Sequence, residues 1–561
     1  MTGTTAAPSP PSSTAGPDRL YPTLTPAQID RLAAHGRRRH VTQGEVLVEA
    51  RQPAARSFVV LSGRIDVIRP GPGEEVVVSF APGMFTGEVT MLSGRPGLAQ
   101  IRTGADGEVI EVSRDDLMAV IQTDGELSQI FMRAFLLRRV ELIKRGVSDV
   151  VVIGSSHCQG TLRVQEFLIR NGHPHTFHDL EQDAGTQDLL DQFDVSAADI
   201  PVVYLCGGVR LKNPTNQQIA DALGFNVAID RTKLRDLVIV GAGPSGLAAA
   251  VYGASEGLDV LMVESTAAGG QAGQSSRIEN YLGFPNGIKG QDLAARAATQ
   301  AQKFGAQLMI GGGASRLVCD SKPYAVEVGE GGGERVPARA VIIATGAEYR
   351  KLAVDGLSRF EGAGVYYAAT PMEAQVCKGE DVIVVGAGNS AGQAAVFLAD
   401  HARRVHMLIR SGGLADTMSR YLIRRIEDHP AIERHLHTEV VSLEGNRHLE
   451  RVGWRDNQTG RDETRGIRHV FTMTGAAPST RWLQGCLALD DKGFIKTGPN
   501  LLPEDLATAR WPLARAPHLL ETSLPGVFAI GDVRAGSLKR VASAVGEGSI
   551  AIAAVHQVLH E

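Results

Sequence analysis

The sequence predicts a multidomain chain: an N-terminal antiparallel β domain of sandwich or jelly-roll type, a small α/β domain, and two larger Rossmann-like α/β units. Three observations lead there. Short strands with period-2 alternation occupy residues 21–115, and strand and helix patterns alternate over residues 149–228. Two strand–glycine-loop–helix units, beginning at Gly241 and Gly386, fill the remainder. At 561 residues the chain is too long for a single core.

Composition narrows the function. Hydrophobic residues make up 43% and charged residues 21%, the balance of a soluble globular protein. A net charge of −5 without a long basic run gives no sign of a nucleic-acid partner. Residues 1–20 are rich in Pro, Ser, Thr and Ala, with neither a basic start nor an apolar stretch. They read as a disordered tail and not as a signal peptide. No window approaches 18 continuous apolar residues, so no membrane span is expected. Cysteines 158, 206, 319, 377 and 486 form no CxxC pair. That spacing predicts neither a disulfide framework nor a metal site, and fits a reducing cytoplasm.

In the first domain (21–146) VLVEA, SFVVLSGRIDVIR, EEVVVSF and GEVIEVS alternate, with breaks at Gly44, Gly63, Gly83 and Gly107. One helix is predicted from Leu117 to about Gly146, on apolar residues such as Val120, Phe131 and Phe135. The second domain (149–228) reads VVVIG strand, TLRVQEFLIRNG helix, HTFHDL strand, TQDLLDQFDV helix, PVVYLCGG strand and NQQIADALG helix.

The first glycine unit is LVIVGAGPSGLAAAVYGASEGLDVLMVES. Gly241 permits the tight turn, Gly243 lets backbone approach a pyrophosphate, and Gly246 allows close helix–strand packing. Glu264, ending the next strand, is placed to accept ribose hydroxyls. The second unit, DVIVVGAGNSAGQAAVFLADHARRVHMLIR, carries Gly386, Gly388 and Ala391. Its following strand ends in Arg410, which favours a 2′-phosphate and hence NADPH over NADH. Two such sites imply hydride transfer from a nicotinamide to a second dinucleotide, with FAD the natural partner.

GGQ (269–271), IENYLGFP (278–285), IIATGA (342–347) and the run 522–556 resemble the thioredoxin reductase family. The resemblance implies an FAD domain over 235–352, an inserted NAD(P)H domain over 353–474, and a return to the FAD domain over 475–561. It adds Gly270, Gln271, Asn280, Thr345, Gly346, Gly531 and Asp532 to the cofactor-binding residues, the last two on the flavin ribityl chain and phosphate. The family's redox CATC is absent: Ala368-Ala369-Thr370-Pro371 stands there, and Cys377 is the one thiol nearby. Without two sulfurs in succession, electrons cannot leave the flavin by the usual internal exchange.

The segment DVVVIGSSHCQGTLRVQEFLIRNG resembles a glutaredoxin start, with Cys158-Gln-Gly-Thr161 where a CxxC would sit. Ile200-Pro201 matches that family's cis-proline and Gly207-Gly208 its GG turn. The implied module is a monothiol thioredoxin fold in which Cys158, at a helix N-terminus, either reacts or is retained in a spacer. FVVLSGRIDVI and FTGEVTML resemble the cyclic-nucleotide-binding jelly roll. Glu88 matches the ribose-binding glutamate, but Gly97 occupies the position of the phosphate-binding arginine, with Arg95 nearby. Loss of that charged contact costs on the order of 2–3 kcal/mol, which predicts a degenerate ligand site.

These readings give a cytoplasmic, homodimeric NADPH-dependent flavoprotein oxidoreductase passing electrons to a disulfide, quinone or electron-carrier acceptor. The alternative is a redox or ligand sensor whose flavin does not turn over.

Overall fold

The computed structural model describes residues 20–561, apart from 54, 70–74, 88–89, 98, 145–149, 157, 181–198, 206–208, 276, 330–332, 368, 370, 416, 447 and 484. Glu88, the GG pair at 207–208, the predicted helix TQDLLDQFDV and the tail 1–19 therefore lie outside the described residues. The chain divides into two compact units, residues 1–147 and 148–561.

In the first unit α1 (Pro26–Ala33) is opened by a Thr25/Gln28 capping box. Strands β1 (Arg37–Val41), β2 (Val46–Val48), β3 (Arg56–Arg69), β4 (Glu75–Phe80) and β5 (Gln100–Ser113) form one antiparallel sheet. Its order is β1-β5-β3-β4, with β2 also on β5. A one-turn helix, α2 (Thr90–Ser93), follows the GE segment. The single predicted helix is in fact two, α3 (Arg114–Thr123) and α4 (Gly125–Lys144). Asp124 makes the break: its backbone is extended, and Oδ1 accepts the N–H groups of Glu126 and Leu127 at 3.1 and 3.0 Å. Hydrophobic periodicity runs through such a cap without showing it. Phe85, Phe131 and Phe135 form the aromatic centre of the core beneath.

The second unit opens with β6 (Val150–Gly154), α5 (Gln159–Arg170), β7 (Thr176–Asp179), β8 (Val202–Leu205), β9 (Val209–Lys212) and α6 (Asn216–Ala222). The four strands order as β7-β6-β8-β9, with β6 parallel to β7 and the other pairs antiparallel.

Next come β10 (Arg235–Val240), α7 (Pro244–Ser255), β11 (Val260–Glu264), α8 (Gly270–Gly273), α9 (Gly290–Lys303), β12 (Gln307–Ile310), β13 (Ala314–Val318), β14 (Tyr324–Val328) and β15 (Glu334–Ile343). They build a seven-stranded sheet of order β12-β11-β10-β15-β14-β13, which a late strand near the C-terminus also joins through β15. Along β10, Leu237 and Ile239 enter the core on one face and Val238 and Val240 the core on the other. A strand covered on both faces reads as an unbroken apolar run, which is why LVIV shows no alternation.

β16 (Ala347–Tyr349) leads out to α10 (Leu357–Phe360), β17 (Val365–Tyr366), α11 (Pro371–Val376), β18 (Asp381–Val385), α12 (Asn389–Ala399), β19 (Arg404–Ile409), α13 (Arg420–Asp428) and β20 (Ile432–Leu436). An antiparallel trio, β21 (Thr438–Gly445), β22 (Leu449–Asp456) and β23 (Asp462–Arg465), precedes β24 (His469–Thr472). The parallel sheet of this inserted domain is ordered β17-β24-β18-β19-β20. β25 (Ala476–Pro478) pairs antiparallel with β16, so outgoing and returning chains cross side by side. α14 (Pro503–Thr508), β26 (Val527–Ala529) and α15 (Val541–His560) complete the second unit, β26 being the strand that pairs with β15.

One expectation is corrected. Cys319 and Cys486 form a disulfide with Cα atoms 6.1 Å apart, across 167 residues of sequence. The fold brings together two loops that sequence spacing leaves unrelated. Among the described residues, α15 is long and apolar enough to cross a membrane by length and composition. In this fold one face of it packs on α7, with Ala551, Ile552 and Val555 fully buried, while most of the helix is not buried.

Candidate functional site

The first glycine loop follows β10 and opens α7. Gly241 has φ +102°, and a Cβ there would lie 2.4 Å from the Ala344 carbonyl oxygen. A Cβ on Gly246 would lie 1.9 Å from the Gly241 oxygen. Both positions exclude any side chain. Gly243 differs: the nearest atom to its Cβ position is the Gly270 Cα at 4.0 Å. Gly243 and Gly270 pack backbone to backbone, a Cβ on Gly270 lying 3.0 Å from the Gly243 Cα, at the N-terminus of a 12-residue helix. A pyrophosphate slot needs a side-chain-free rim of this kind beside exposed N–H groups.

Glu264 ends β11 with both oxygens engaged, accepting from Ala242 N–H and Thr266 N–H at 2.9 Å each. Those bonds orient the carboxylate, whose oxygens are suited to accept from ribose hydroxyls. Gln271 donates from Nε2 to the Ala347 carbonyl, and Thr345 donates to the Ser479 carbonyl at 3.0 Å. Both bonds tie the flavin-side loops to the strands where the chain leaves and re-enters the domain. Gly346 has φ +65° with open space at its Cβ position, whereas Asn280 is exposed on the IENYLGFP loop.

Gly531, at φ +73°, packs its Cα face against Ser245 in the first turn of α7 and donates its N–H to Glu547 at 2.6 Å. Asp532 follows. Burial pushes its carboxyl above the ordinary carboxylate range, with Lys539 opposing and Glu547 reinforcing the rise. A half-buried acceptor beside the slot suits a polyhydroxyl chain. The donor set, the glycine cradle and Glu264 therefore fit a flavin adenine dinucleotide.

The second loop repeats the geometry in the inserted domain. Gly386 has φ +141°, and its Cβ position lies 2.4 Å from the Met473 oxygen; Gly388 has nothing within 4 Å; Ala391 is fully buried. Asn389 Oδ1 accepts the Ser419 N–H at 2.7 Å, joining the loop to the segment before α13. Arg410 stands exposed just past β19 and makes no ion pair or hydrogen bond among the described residues. Arg420 and Arg424 lie on α13, and the neighbouring Arg425 is engaged with Glu279 at 3.0 Å.

Cys158 is the N-cap residue of α5. A Cβ on Gly160 would lie 2.9 Å from Pro201 Cδ and 3.8 Å from Cys158 Sγ, so thiol, helix turn and the cis Ile200–Pro201 peptide lie side by side. Arg163, held by the Pro214 carbonyl and Asn216 at 2.6 and 2.8 Å, interacts electrostatically with the thiol. Burial lowers the Arg163 pKa, and the proximity of Cys158 counters it. Thr161 is fully buried against Gly154, facing away from that edge. Cys377, in contrast, is wholly buried, and burial first, with Glu380 and Glu373 adding, pushes its thiol up to about 11.

Sequence reasoning missed how this module is attached. Arg170, at the end of α5, donates to the Gly270 and Ala267 carbonyls at 3.1 and 3.4 Å. Asn171 donates to Thr266 at 2.9 Å, and Glu166 accepts from Gln274 at 2.8 Å. Asn226, buried, both donates to and accepts from the Ile310 backbone, at 2.8 and 2.9 Å, closing the edge of β12. One apolar core runs from Val152, Phe167 and Ile219 into Ile239, Met262 and Ile310. Residues 269–271 thus rest on the Cys158 module.

In the first unit, Gly97 has nothing within 4 Å of its Cβ position, and its backbone pairs with Arg51 and Gln52. An arginine there meets no obstacle. Gly97→Arg is expected to leave the fold intact and to strengthen cyclic AMP binding roughly tenfold or more, read by calorimetry. Unchanged affinity would show that the ligand site is not this loop.

Comparison with known proteins agrees with this geometry. A family model for pyridine nucleotide-disulphide oxidoreductases matches residues 235–548, and one for the cyclic nucleotide-binding domain matches residues 38–124. A thioredoxin reductase of Bacillus subtilis is 32% identical over 330 residues, covering 59% of this chain and 96% of the relative. One of Mycolicibacterium smegmatis is 33% identical over 318 residues, covering 57% and 94%. The crystal structure of T. acidophilum thioredoxin reductase superposes with a TM-score of 0.52 at 28% identity, covering 59% of this chain and all of that one.

Proposed function

The chain belongs to the pyridine nucleotide-disulphide oxidoreductases and, within them, to the thioredoxin reductase family, an FAD-dependent NAD(P)H oxidoreductase; on that premise we propose that NADPH feeds it and that its disulfide chemistry runs through Cys158. FAD, where bound, supplies a two-electron acceptor for the nicotinamide hydride. The chain's own residues do the rest. The Gly241 and Gly386 loops present helix N-termini to phosphates, and Glu264 orients a ribose. Arg410 selects the 2′-phosphate. No cysteine lies between residues 365 and 376, so no internal dithiol drains the flavin.

The observation that carries the reading is the state of the cysteines. Among the described ones, Cys319 and Cys486 are joined, Cys377 is buried and protonated at neutral pH, and Cys158 alone is free and partly exposed. At Cys158 a thiolate attacks a substrate disulfide and one sulfur leaves as thiolate; a low-molecular-weight thiol then displaces the Cys158 thiolate from the mixed disulfide and departs as a disulfide, which would take its two electrons from NADPH-reduced FAD, where bound. The module bearing it reads as a monothiol thioredoxin fold, supported by its strand order, the N-cap cysteine and cis Pro201. The cyclic-nucleotide-binding-like unit is read as weak for its ligand, and the protein as a cytoplasmic homodimer. Light scattering on the purified protein checks the dimer.

Coenzyme preference tests the donor. Arg410→Ala is expected to raise KM for NADPH roughly five- to tenfold, the loss of one exposed charge contact, with kcat and the NADH parameters unchanged. An equal effect on both coenzymes would remove Arg410 from the 2′-phosphate site.

A further inference from the structure

The inserted domain holds a cluster of ligating side chains that neither nucleotide site uses. β19 and β20 run parallel with His406 opposite Glu433 and Leu408 opposite His435. Residues 433 and 435, two apart on a strand, project from one face. His406 shares that face, the one covered by the β21–β23 trio. His406 Nδ1 lies 3.1 Å from His435 Nε2; Glu433 Oε2 lies 3.6 Å from the first nitrogen and Glu433 Oε1 lies 3.6 Å from the second. One ligating atom from each side chain falls within 4.8 Å of the other two. His406 is fully buried, and its second ring nitrogen has no hydrogen-bond partner among the described residues. His435 and Glu433 are more open, which leaves a way in from solvent.

The surrounding charges do not forbid a cation. Arg404 reaches Glu433 at 3.3 Å through an exposed contact, and Arg465 on β23 is paired with Glu463 at 2.7 Å. Asp381 on β18 adds a further negative charge. Two imidazoles and a carboxylate are the ligands of a borderline first-row ion such as zinc, bound at about 2.0–2.2 Å. Tetrahedral binding needs the ring nitrogens roughly 3.3 Å apart, a displacement of a few tenths of an ångström.

We propose that His406, Glu433 and His435 form a three-ligand site for a divalent first-row cation of the zinc type, clamping β19 to β20, with the fourth position open to solvent. The site lies four residues before Arg410 on the same strand, roughly 13 Å along it, and so apart from the 2′-phosphate. The bland alternative is a neutral histidine pair sharing one hydrogen bond.

Trp454 supplies the reporter, its ring centroid 5.9 Å from His406 and 5.5 Å from His435. Tag-free, full-length protein carrying Cys158→Ser is titrated with nickel, which quenches a nearby indole, and then with zinc. One equivalent of nickel is expected to quench part of the tryptophan emission saturably, and zinc to reverse it. His435→Gln and Glu433→Gln are expected to weaken binding on the order of 100-fold and tenfold. Both residues are partly exposed, and flavin content checks their folding. Trp454→Phe should abolish the signal while equilibrium dialysis still finds one zinc per chain. No saturable binding, or equal zinc stoichiometry in His435→Gln, overturns the site in favour of the hydrogen-bonded pair.

Discussion

Gly246→Ala is expected to give a folded chain without flavin. The added methyl would sit 1.9 Å from the Gly241 oxygen and 3.1 Å from its carbonyl carbon, backbone atoms with no freedom to swing aside. Either α7 moves off β10 or the Gly241 turn opens, and both changes disturb the pyrophosphate slot. Overpacking of this kind costs at least about 1–3 kcal/mol, which is roughly 5- to 150-fold in cofactor affinity. The ratio of visible to ultraviolet absorbance after purification reads it directly, with circular dichroism as the check on folding. Gly243→Ala is the informative partner, because its methyl meets no protein atom closer than 4.0 Å. It should lose flavin only by competing with the phosphates. Full flavin content in Gly246→Ala would mean the cofactor is held elsewhere.

Cys158→Ser should abolish disulfide-dependent NADPH oxidation, a loss on the order of 100-fold or more, since a hydroxyl at neutral pH is no substitute for a thiolate. Anaerobic bleaching of the flavin by NADPH should proceed at the wild-type rate, because hydride arrival needs only the two nucleotide loops. Cys377→Ser should change neither, its thiol being wholly buried and protonated at neutral pH. If Cys158→Ser keeps full disulfide activity, electrons reach that acceptor straight from the flavin face and the module has another task. Arg163→Ala gives a graded version of the same test. With the guanidinium beside the sulfur gone, disulfide turnover should fall several-fold while flavin bleaching by NADPH is unchanged.

Much of the nucleotide chemistry was legible because it depends on steric necessity at fixed spacing. Gly241, Gly243, Gly246 and Glu264 sit one strand and one helix apart, and no other arrangement serves the turn, the slot and the carboxylate together. Arg410 stands exposed just past β19, where the sequence puts it, and its place at a 2′-phosphate is what Arg410→Ala tests. The disulfide was not: Cys319 and Cys486 meet only after the sheet has formed, 167 residues apart. His406, Glu433 and His435 depend on the register of two parallel strands, which no local pattern encodes. Arg170 and Asn171 looked like an ordinary helix C-terminus, where basic residues and asparagine are favoured anyway. The break at Asp124 was hidden because apolar residues keep their rhythm on both sides of it.

The shared core beneath the Cys158 module has a consequence for how the enzyme meets its clients. Thiol domains hung on flexible tethers sample many positions and owe their speed to a high effective concentration. Here Arg170, Asn171 and Asn226 clamp the module, and Val152, Phe167 and Ile219 continue into the interior of the flavin domain. Such a sulfur behaves as a docking berth and not as a swinging arm. On the proposed route through Cys158, all travel falls to the small thiol that calls there, loads and departs, so turnover should rise with that carrier's concentration and be insensitive to solvent viscosity until diffusion limits the encounter.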